Sequence, residues 1–584
     1  MSQSRVIPTQ DDTDLPTFTI LVEGEELGAR FGVLGVVVSR NVNSIPKARL
    51  LLADGSASDG GFMLSDGDTF LPGKEVEIRG GYHNTEDIIF KGLITGHGIK
   101  APERGSSYLQ IDLRGEVVKM TVSRKNRSFV SMNDTEIIEE MLGAYGLANE
   151  VEETSVTHAQ MVQYGVTDWD FMVSRAEMNG CLVFTDDDMV RVNKPDTGAE
   201  PALNLAYGSN VISFEAGMDA RRQYGSFNST GWDYAGQALA EEEGDSPAAQ
   251  LPGNADPASL ASALGNPTYY QQHPGRRAEG ELSAWSDARL LRAELSKVRG
   301  TVRIAGFSDI RPGMMISMER FGERFDGNAF VSSVHHQFSG ESSWYTDIGF
   351  GLDPQWHVQK FTDLESPAAS AMLPSVKGLQ PAVVTAIHDD PDGENRIRVR
   401  MPLVEPQGEG IWARVAVPDA GTDRGMTFRP EVDDEVLIGF INDDPRDAVI
   451  LGMLHSRDKP APIEATEENN EKGWVTRSGL RLIFNDEDKS VTIETPGGNR
   501  LEVSEDAEGI TLEDQNSNRV VLNGDGISIT SSGDIKLEAQ GDVTINGMNI
   551  SAEASASFKA EGGSGAALSS NGQTEVKGSL VAIN

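Results

Sequence analysis

The chain has 584 residues, and 50 Lys and Arg against 90 Asp and Glu give it a formal net charge of −40. A single core seldom grows past about 250–300 residues, so this length predicts several domains. The acidity argues against a general nucleic-acid binder, whose affinity comes largely from Lys and Arg. The single cysteine, Cys181, excludes a disulfide framework and a cysteine-based zinc cluster.

The sequence carries no sign of a targeting segment. It begins with MSQSRVIPTQDDTD, which is polar and acidic and lacks the apolar stretch of a secretory signal peptide. No run approaches the 18 apolar residues of a membrane-spanning helix. We therefore expect no signal peptide and no transmembrane segment, and expect that any export uses another route than general secretion.

Short strands separated by turn signals are predicted over residues 17–130. Two helices follow: Asn133 caps the first, which stops at Gly146, and Thr167 caps the second, which stops at Gly180. After the second helix, the pattern of apolar residues again predicts strands.

The sequence from 240 to 280 is rich in Ala, Pro, Gly and Ser, a composition that predicts a flexible surface segment. A helix is predicted at Glu281–Val298, followed by more strands. A hinge closes this first region, 1–370, near Gly378. Five short strands are then predicted over 379–455, which suits a small OB-like barrel, and residues 456–475 are predicted to be a linker.

The last region, 476–584, repeats every eight residues from Gly526 onward, as GISITSSG, DIKLEAQG and DVTINGMN. Each octad has two apolar positions two residues apart, and a one-residue slip precedes Ile550. The predicted inward positions are Ile527, Ile529, Ile535, Leu537, Val543, Ile545, Ile550, Phe558, Leu568 and Val576. Such short strands cannot fold alone, so we predict that three chains wind together into a β-helix needle. A single-chain β-solenoid is the alternative.

The barrel region carries a recognisable series of motifs. It contains WARV, AG, FRPEV and DEV in that order, with Trp412, Arg414, Gly421, Pro430, Glu431, Asp434 and Glu435 as motif residues. The series resembles the OB domain of VgrG-type and phage spike proteins. This chain has Asp433 where that family usually has Gly; Asp is among the better substitutes if the position needs a positive φ.

The resemblance extends to both sides. The segments RSFVSMNDTEIIEEMLGAYGL, QYGVTDWDFMVSRAEMNGCLVF and NAFVSSVHHQFSG resemble the hub of VgrG-type proteins, and the octads resemble their needle. The resemblance implies a mainly β fold with minor α: two tube-like barrels with helical insertions in 1–370, an OB barrel, and a triple-stranded intertwined β-helix in a homotrimer.

The resemblance also implies partners. They are an inner tube protein and baseplate components at the hub, a PAAR-like tip protein at the needle end, possible effector cargo, and a target membrane that is pierced transiently. The tip protein would dock at Val581, Ala582, Ile583 and Asn584. Because no further domain follows the octads, we expect a separate tip protein and no fused effector.

Other chemically suggestive residues have plainer interpretations. The loop 388–395 resembles a calcium loop in its carboxylates, but Asp-Gly between strands indicates a turn. The adjacent His335 and His336 should point to opposite faces of a strand. Asp186–Asp188 is interpreted as a turn tip, and Cys181 as a buried strand residue. The alternating Arg396, Arg398 and Arg400 are expected to pair with carboxylates rather than with nucleic acid.

We therefore predict a structural spike of a contractile injection system, assembled in the cytoplasm and acting by force transmission, with no catalytic residues, cofactor or metal. The alternative is a tailspike that binds or degrades surface glycans, which would need a cleft of carboxylates and aromatic residues. The sequence leaves open whether the particle is a phage tail, a type VI secretion system or an extracellular injection particle.

Overall fold

Strands dominate the computed structural model, which describes residues 15–28, 30–56, 58, 60–245, 251–339 and 343–583. The N-terminus discussed above therefore lies outside the described residues. The chain divides into two units, Met1–Leu379 with Gly439–Val449 and Gln380–Ile438 with Ile450–Asn584. Among the helices of the described ranges, none is both long and apolar enough to cross a membrane.

The first unit begins with seven strands: β1 Pro16–Val22, β2 Glu25–Glu26, β3 Val33–Asn41, β4 Lys47–Ala53, β5 Glu75–Tyr82, β6 Thr85–Lys100 and β7 Tyr108–Arg114. Their alternating apolar side chains bury one core, in which Leu50, Phe90 and Leu113 are fully buried. Short 3-10 helices lie at Asp68–Phe70 and, after β7, Glu116–Thr121.

A mixed section follows: β8 Arg124–Asn133, α1 Asp134–Gly143, β9 Asn149–Val151, β10 Thr157–Thr167, α2 Asp168–Met178, β11 Leu182–Thr185 and β12 Val190–Asn193. Both predicted helices are present. Asn133 caps α1 in a capping box with Glu136, and Thr167 caps α2 by accepting from the amide of Asp170. Gly180, at φ +74°, lies just past the end of α2, where a left-handed residue is needed.

The rest of this unit contains β13 Leu203–Ala206, β14 Ser213–Met218, β15 Ser226–Asp233, β16 Ala238–Glu243, α3 Pro257–Ala263, β17 Thr268–His273, α4 Glu279–Leu295, β18 Val298–Ala305, β19 Met315–Glu319, β20 Gly327–Ser339, β21 Ser343–Phe350 and α5 His357–Lys360. A 3-10 turn at Ala368–Ala371 follows, and another lies at Ile441–Asp443.

The segment 240–280, predicted to be a flexible surface segment, contains regular secondary structure that the sequence analysis did not predict. Around residues 246–250, which are not described, it contains part of β16, then α3 and β17. Asp256 caps α3 with Pro257 in its first turn, so the Pro and Ser that indicated a linker belong to a helix start. Strands β16, β15 and β17 form a sheet in that order, and α4 contacts β15 and β16.

Most of the other strands of the first unit belong to one 13-stranded sheet. Along it β20 pairs with β3, which joins the early strands to the late ones. The late strands enclose a second core with Val302, Ile316 and Ile348 fully buried. The two tube-like barrels predicted for 1–370 correspond here to two cores along one continuous sheet.

The strands that follow are β22 Gln380–Ala386, β23 Ile397–Arg400, β24 Ile411–Val415, β25 Ala420–Gly421, β26 Arg424–Gly425, β27 Glu435–Phe440 and β28 Ala448–Met453. They belong to the second unit except for the end of β27 and the start of β28, which fall within Gly439–Val449. Strands β22, β23, β24, β28 and β27 close into a barrel in that order. Its interior holds Val384, Val399 and Ile438, all fully buried. The predicted OB-like barrel is therefore confirmed.

Seven five-residue strands follow: β29 Glu471–Val475, β30 Arg481–Asn485, β31 Ser490–Glu494, β32 Arg500–Ser504, β33 Gly509–Glu513, β34 Arg519–Asn523 and β35 Gly526–Thr530. They pair with their neighbours in sequence order as an antiparallel meander. The predicted linker 456–475 is too long, because its last five residues form β29. The glycine in this strand, Gly473, lets the backbone of β30 approach closely.

Candidate functional site

The octads present the largest set of exposed apolar side chains in the described chain. After Thr530 no described residue is in a strand, and no backbone N–H of 531–583 donates to a backbone carbonyl. Ile535 is 57% exposed, Leu537 75% and Phe558 71%. The other predicted inward residues are exposed as well: Ile527, Ile529, Val543, Ile545, Ile550, Leu568 and Val576.

The octads nevertheless have two distinct faces. Lys536 pairs with Glu538, and Lys559 Nζ lies 2.6 Å from Glu561 Oε1. Residues two apart lie on the same side of an extended chain, so Lys536 and Glu538 share the face opposite Ile535 and Leu537. In the octads that carry such a pair, one face is charged and internally paired, whereas the other is apolar and uncovered.

The meander β29–β35 lies upstream of this stretch and has only weak burial. Ile483 is its one buried apolar side chain among the described residues, while Phe484, Ile493 and Leu512 are exposed. A single-layer sheet has nothing on which to bury these side chains. The single-chain solenoid considered above is not what the described residues form, since neither the meander nor the octads enclose a core.

The barrel motif residues fall into three groups. Trp412 and Arg414 lie on β24, where the guanidinium of Arg398 lies 5.6 Å from the Trp412 ring centre. Gly421 lies in the β25–β26 hairpin, opposite Arg424. The third group lies at the entry to β27, with Pro430, Glu431 and Asp434 in the turn and Glu435 as the first residue of the strand.

This turn has the backbone geometry that the sequence suggested. Asp433 adopts φ +70°, the left-handed region in which Gly is favoured. The Glu431 amide donates to the Asp434 carboxylate at 2.8 Å, and Lys459 Nζ lies 3.0 Å from the same carboxylate. Burial acts to raise the pKa of Asp434, but these two contacts outweigh it and hold that pKa below its usual value.

The three arginines in and just before β23 are partly paired, as expected. Arg396 binds Asp390 and Asp392, and Arg398 lies 2.6 Å from Glu409. Arg396 fixes the 388–395 loop, where Asp390 also accepts backbone amides, so the interpretation as a turn holds. No ion pair of Arg400 appears among the described residues.

The remaining suggestive residues have structural roles. His335 Nδ1 lies 2.7 Å from Ser39 Oγ, and the buried His336 bonds Thr346 Oγ1 at 3.0 Å. Burial raises the pKa of the Cys181 thiol to about 12, which keeps it un-ionised.

The carboxylates of Asp186–Asp188 each bind a cation. Asp186 pairs with Arg191, Asp187 with Arg40 and Asp188 with Lys91. Across the described ranges, no cluster of three or more His, Cys, Asp or Glu is placed to hold a metal ion.

Sequence reasoning missed two buried carboxylates, each at the first residue of a helix. Asp134 accepts from Arg175 at 2.7 and 2.9 Å and from Asn179 at 2.9 Å, with His158 at 3.1 Å. Burial acts to raise its pKa, but these hydrogen bonds hold the pKa well below its usual value.

Asp168 is the second of these carboxylates, and it is fully buried. It binds Lys125 and Arg127, each at 2.7 Å, as well as Gln163 and Tyr145. The sequence signal was an Asp directly after each predicted cap, but the cations lie about 40 residues away along the chain, on α2 for Asp134 and on β8 for Asp168.

The predicted tip-docking residues lie at the end of the octads. Val581 is 46% exposed and Ile583 90% exposed, with Ala582 exposed between them. Asn584 lies outside the described residues. Docking at these residues stays a prediction.

Three family models match the chain. The Alg8 N-terminal domain matches residues 12–340, more than half of the chain. The type VI secretion system/phage-baseplate injector OB domain matches 380–455, and the phage baseplate V C-terminal trimerisation domain matches 490–551. The chain belongs to the VgrG-type spike proteins, and its residues 12–340 to the Alg8 N-terminal domain family.

Curated relatives carry the same family name. The type VI secretion system spike protein VgrG1b of Pseudomonas aeruginosa is 22% identical over 456 residues, which are 72% of this chain and 59% of the relative. VgrG4b of the same organism is 34% identical over 121 residues, 19% of this chain and 14% of that protein. The chain thus spans less than two thirds of the length of the VgrG relatives that it matches.

Solved structures with some likeness include phage tail proteins. The 43 kDa tail protein of prophage MuSo2 from Shewanella oneidensis has a TM-score of 0.44 and 11% identity, covering 58% of this chain and 98% of that one. The E. coli c3393 protein, described as a component of the type VI secretion system, has a TM-score of 0.37 and 14% identity, covering 74% of this chain and 99% of that one.

Proposed function

We propose that the chain is the central spike and hub of a contractile injection system, and that it acts as a homotrimer. Its hub would adapt a hexameric inner tube to a trimeric needle, which would pierce a target envelope. The function is mechanical, force transmission rather than catalysis.

The observation that carries this proposal is the unpaired apolar face of the octads. A chain with eight-residue repeats, free backbone groups and one uncovered apolar face gains burial and hydrogen bonds only from other strands. Two further copies supply identical faces and identical edges. The match of 490–551 to a trimerisation domain supports the same stoichiometry.

The partners follow from the proposed role. A PAAR-like tip protein would sit on Val581–Asn584, the inner tube protein and baseplate components would bind the hub, and effector cargo would travel with the spike. The particle would assemble in the cytoplasm and act outside or in a target cell. The names of the curated relatives favour a type VI secretion system over a phage tail or an extracellular particle.

The proposal is tested by the mass of the purified chain. Light scattering should give three times the 63.0 kDa of one chain, and electron microscopy should show a thin rod at one end of a wider body. A stable monomer at micromolar concentration contradicts the proposal. Release of sugars from target-cell envelopes by the purified protein would instead support a glycan-degrading tailspike.

A further inference from the structure

We propose that the turn Phe428–Asp434, which carries the family motif, is also the joint through which the OB barrel drives the C-terminal sheet, while the covalent linker 460–470 carries little force. This inference deepens the proposed function, because a spike must pass axial force from its barrel to its needle. All contacts involved lie within the second unit.

The first anchor is Lys459, shortly after the last barrel strand. Its ammonium donates to the carbonyl of Asp433 at 2.6 Å and lies 3.0 Å from the carboxylate of Asp434. A short turn presents this lysine: the Lys459 amide donates to Ser456 Oγ at 3.1 Å, and the Ser456 amide donates to the Lys459 carbonyl at 2.9 Å. The left-handed Asp433 helps aim that carbonyl at the ammonium, so the unusual backbone has a use.

The second anchor holds the first strand of the meander. The rings of Phe428 and Trp474 lie with centroids 5.8 Å apart, and Arg477 Nη1 lies 2.8 Å from Glu431 Oε2. Trp474 is in β29, and Arg477 is in the turn that leads to β30. The turn therefore holds the chain on both sides of the linker.

The residues between the two anchors make no such contact. Residues 460–470, all of them described, contain no strand or helix and are mostly exposed. Their hydrogen bonds stay within the segment or reach the meander, as when Asn470 donates to Glu487, and none goes to the barrel. Force that enters the turn therefore reaches β29 and the start of β30 through the second anchor, without passing along residues 460–470.

An exposed ion pair or aromatic pair is weak alone, worth at most about 1 kcal/mol or slightly more. Here an aromatic pair and a guanidinium act in parallel between the turn and the meander, while the Lys459 ammonium, on the barrel side of the linker, stabilises the turn itself. Three chains would repeat the arrangement around the axis. The contacts of the three copies therefore add up without a continuous strand through the joint.

The test replaces residues 464–468 of the full-length chain with a site for a specific protease, and cleaves it. In the otherwise unchanged chain, three copies of the joint should keep the C-terminal part of the trimer associated with the barrel part in sedimentation equilibrium at 0.15 M salt and about 0.1 mM chain. In the double variant Glu431→Gln, Trp474→Ala, the released fraction should rise at least tenfold. Trp474→Phe keeps a ring, and Glu409→Gln breaks an ion pair within the barrel; each should retain the fragment.

Release from the unchanged chain overturns the inference, because the anchors then do not hold. Equal retention by the double variant also overturns it, because other contacts then hold the fragment. The mass before cleavage tests the proposed function separately, because a monomer contradicts the trimeric spike. In a monomer the joint is read in the uncleaved chain, where the double variant should speed amide hydrogen exchange in β29 about tenfold relative to Trp474→Phe, and equal exchange overturns the inference.

Discussion

The helical section of the hub and the C-terminal octads differ in whether their apolar side chains are buried and their polar groups paired. In the section with α1 and α2, apolar residues such as Ile137 and Met172 are fully buried. The buried carboxylates of Asp134 and Asp168 form ion pairs with cations of the same section. In the octads, Ile545 and Leu568 are exposed and the backbone is unpaired. The first region therefore buries its apolar side chains within one chain, whereas the octads need further copies of the chain to do so.

The strongest test of this difference is to introduce charged residues on the uncovered apolar face of the octads. Ile535→Asp with Leu537→Asp should abolish the trimer, because three copies would place six carboxylates in one layer of an apolar core, and each unpaired buried charge costs several kcal/mol. Light scattering should report a monomer. The hub should stay folded, with unchanged near-ultraviolet circular dichroism, because it does not depend on the octads.

Lys536→Asp is the matched control. It introduces a carboxylate one residue away, on the face that already carries charge, and should leave the trimer intact. Equal loss of trimer in both variants would mean that the two faces of the octad are not distinct.

A substitution in the helical section should destabilise the hub instead. Asp168→Asn removes the buried charge that Lys125 and Arg127 share, and should lower the free energy of unfolding of the hub by about 2–3 kcal/mol. The cations are partly exposed, so water compensates some of the loss. Denaturant unfolding followed by tryptophan fluorescence measures the change.

Asp219→Asn provides the comparison for Asp168→Asn. Asp219 pairs with Arg221, whose side chain is 83% exposed, so the same substitution should cost less than about 1 kcal/mol. The trimer mass should not change in either variant. If Asp168→Asn and Asp219→Asn cost the same, the pairing of the buried carboxylate adds no stability.

Much of this contrast is visible in the sequence. Asn133 and Thr167 predict both helix starts, and the octad period predicts which residues line one face. The five short strands over 379–455 predict a small OB-like barrel, whereas its strand order and register come only from the structure.

The partners of Asp134 and Asp168 are not visible in the same way. Arg175 lies 41 residues from Asp134, and Lys125 lies 43 residues before Asp168. Only the packing of α1, α2 and the β8–β10 ribbon brings them together. The 240–280 segment was misread for a related reason, since Pro and Ser have one meaning in a linker and another at a helix start.

The hub and the octads should respond differently to acid. The pKa values of Asp134 and Asp168 are lowered on folding from a usual 3.8, so their stabilisation is fully present above pH about 5 and is lost as the pH falls through the lowered values. The predicted trimer core contains no titratable group and should not follow this dependence. Between pH 5 and pH 2.5, hub fluorescence should report unfolding while light scattering still reports a trimer.

The variant Asp134→Asn should flatten the pH dependence of hub stability in the same range, because its carboxylate no longer titrates. Loss of the trimer at a higher pH than hub unfolding would contradict the contrast, since it would place titratable groups in the needle core.

The smallest predicted effect concerns Asp433, which lies in the turn that ends the barrel motif. At φ +70° a β-branched residue is strained, so Asp433→Val should destabilise the second unit by about 1–2 kcal/mol. Asp433→Gly relieves the strain but adds freedom to the unfolded chain, so it should change stability by less than about 1 kcal/mol. Calorimetry of the full chain measures both. Asp458→Val, at an exposed residue without a positive φ, separates backbone strain from the loss of a carboxylate: if it costs as much as Asp433→Val, the left-handed backbone is not the cause.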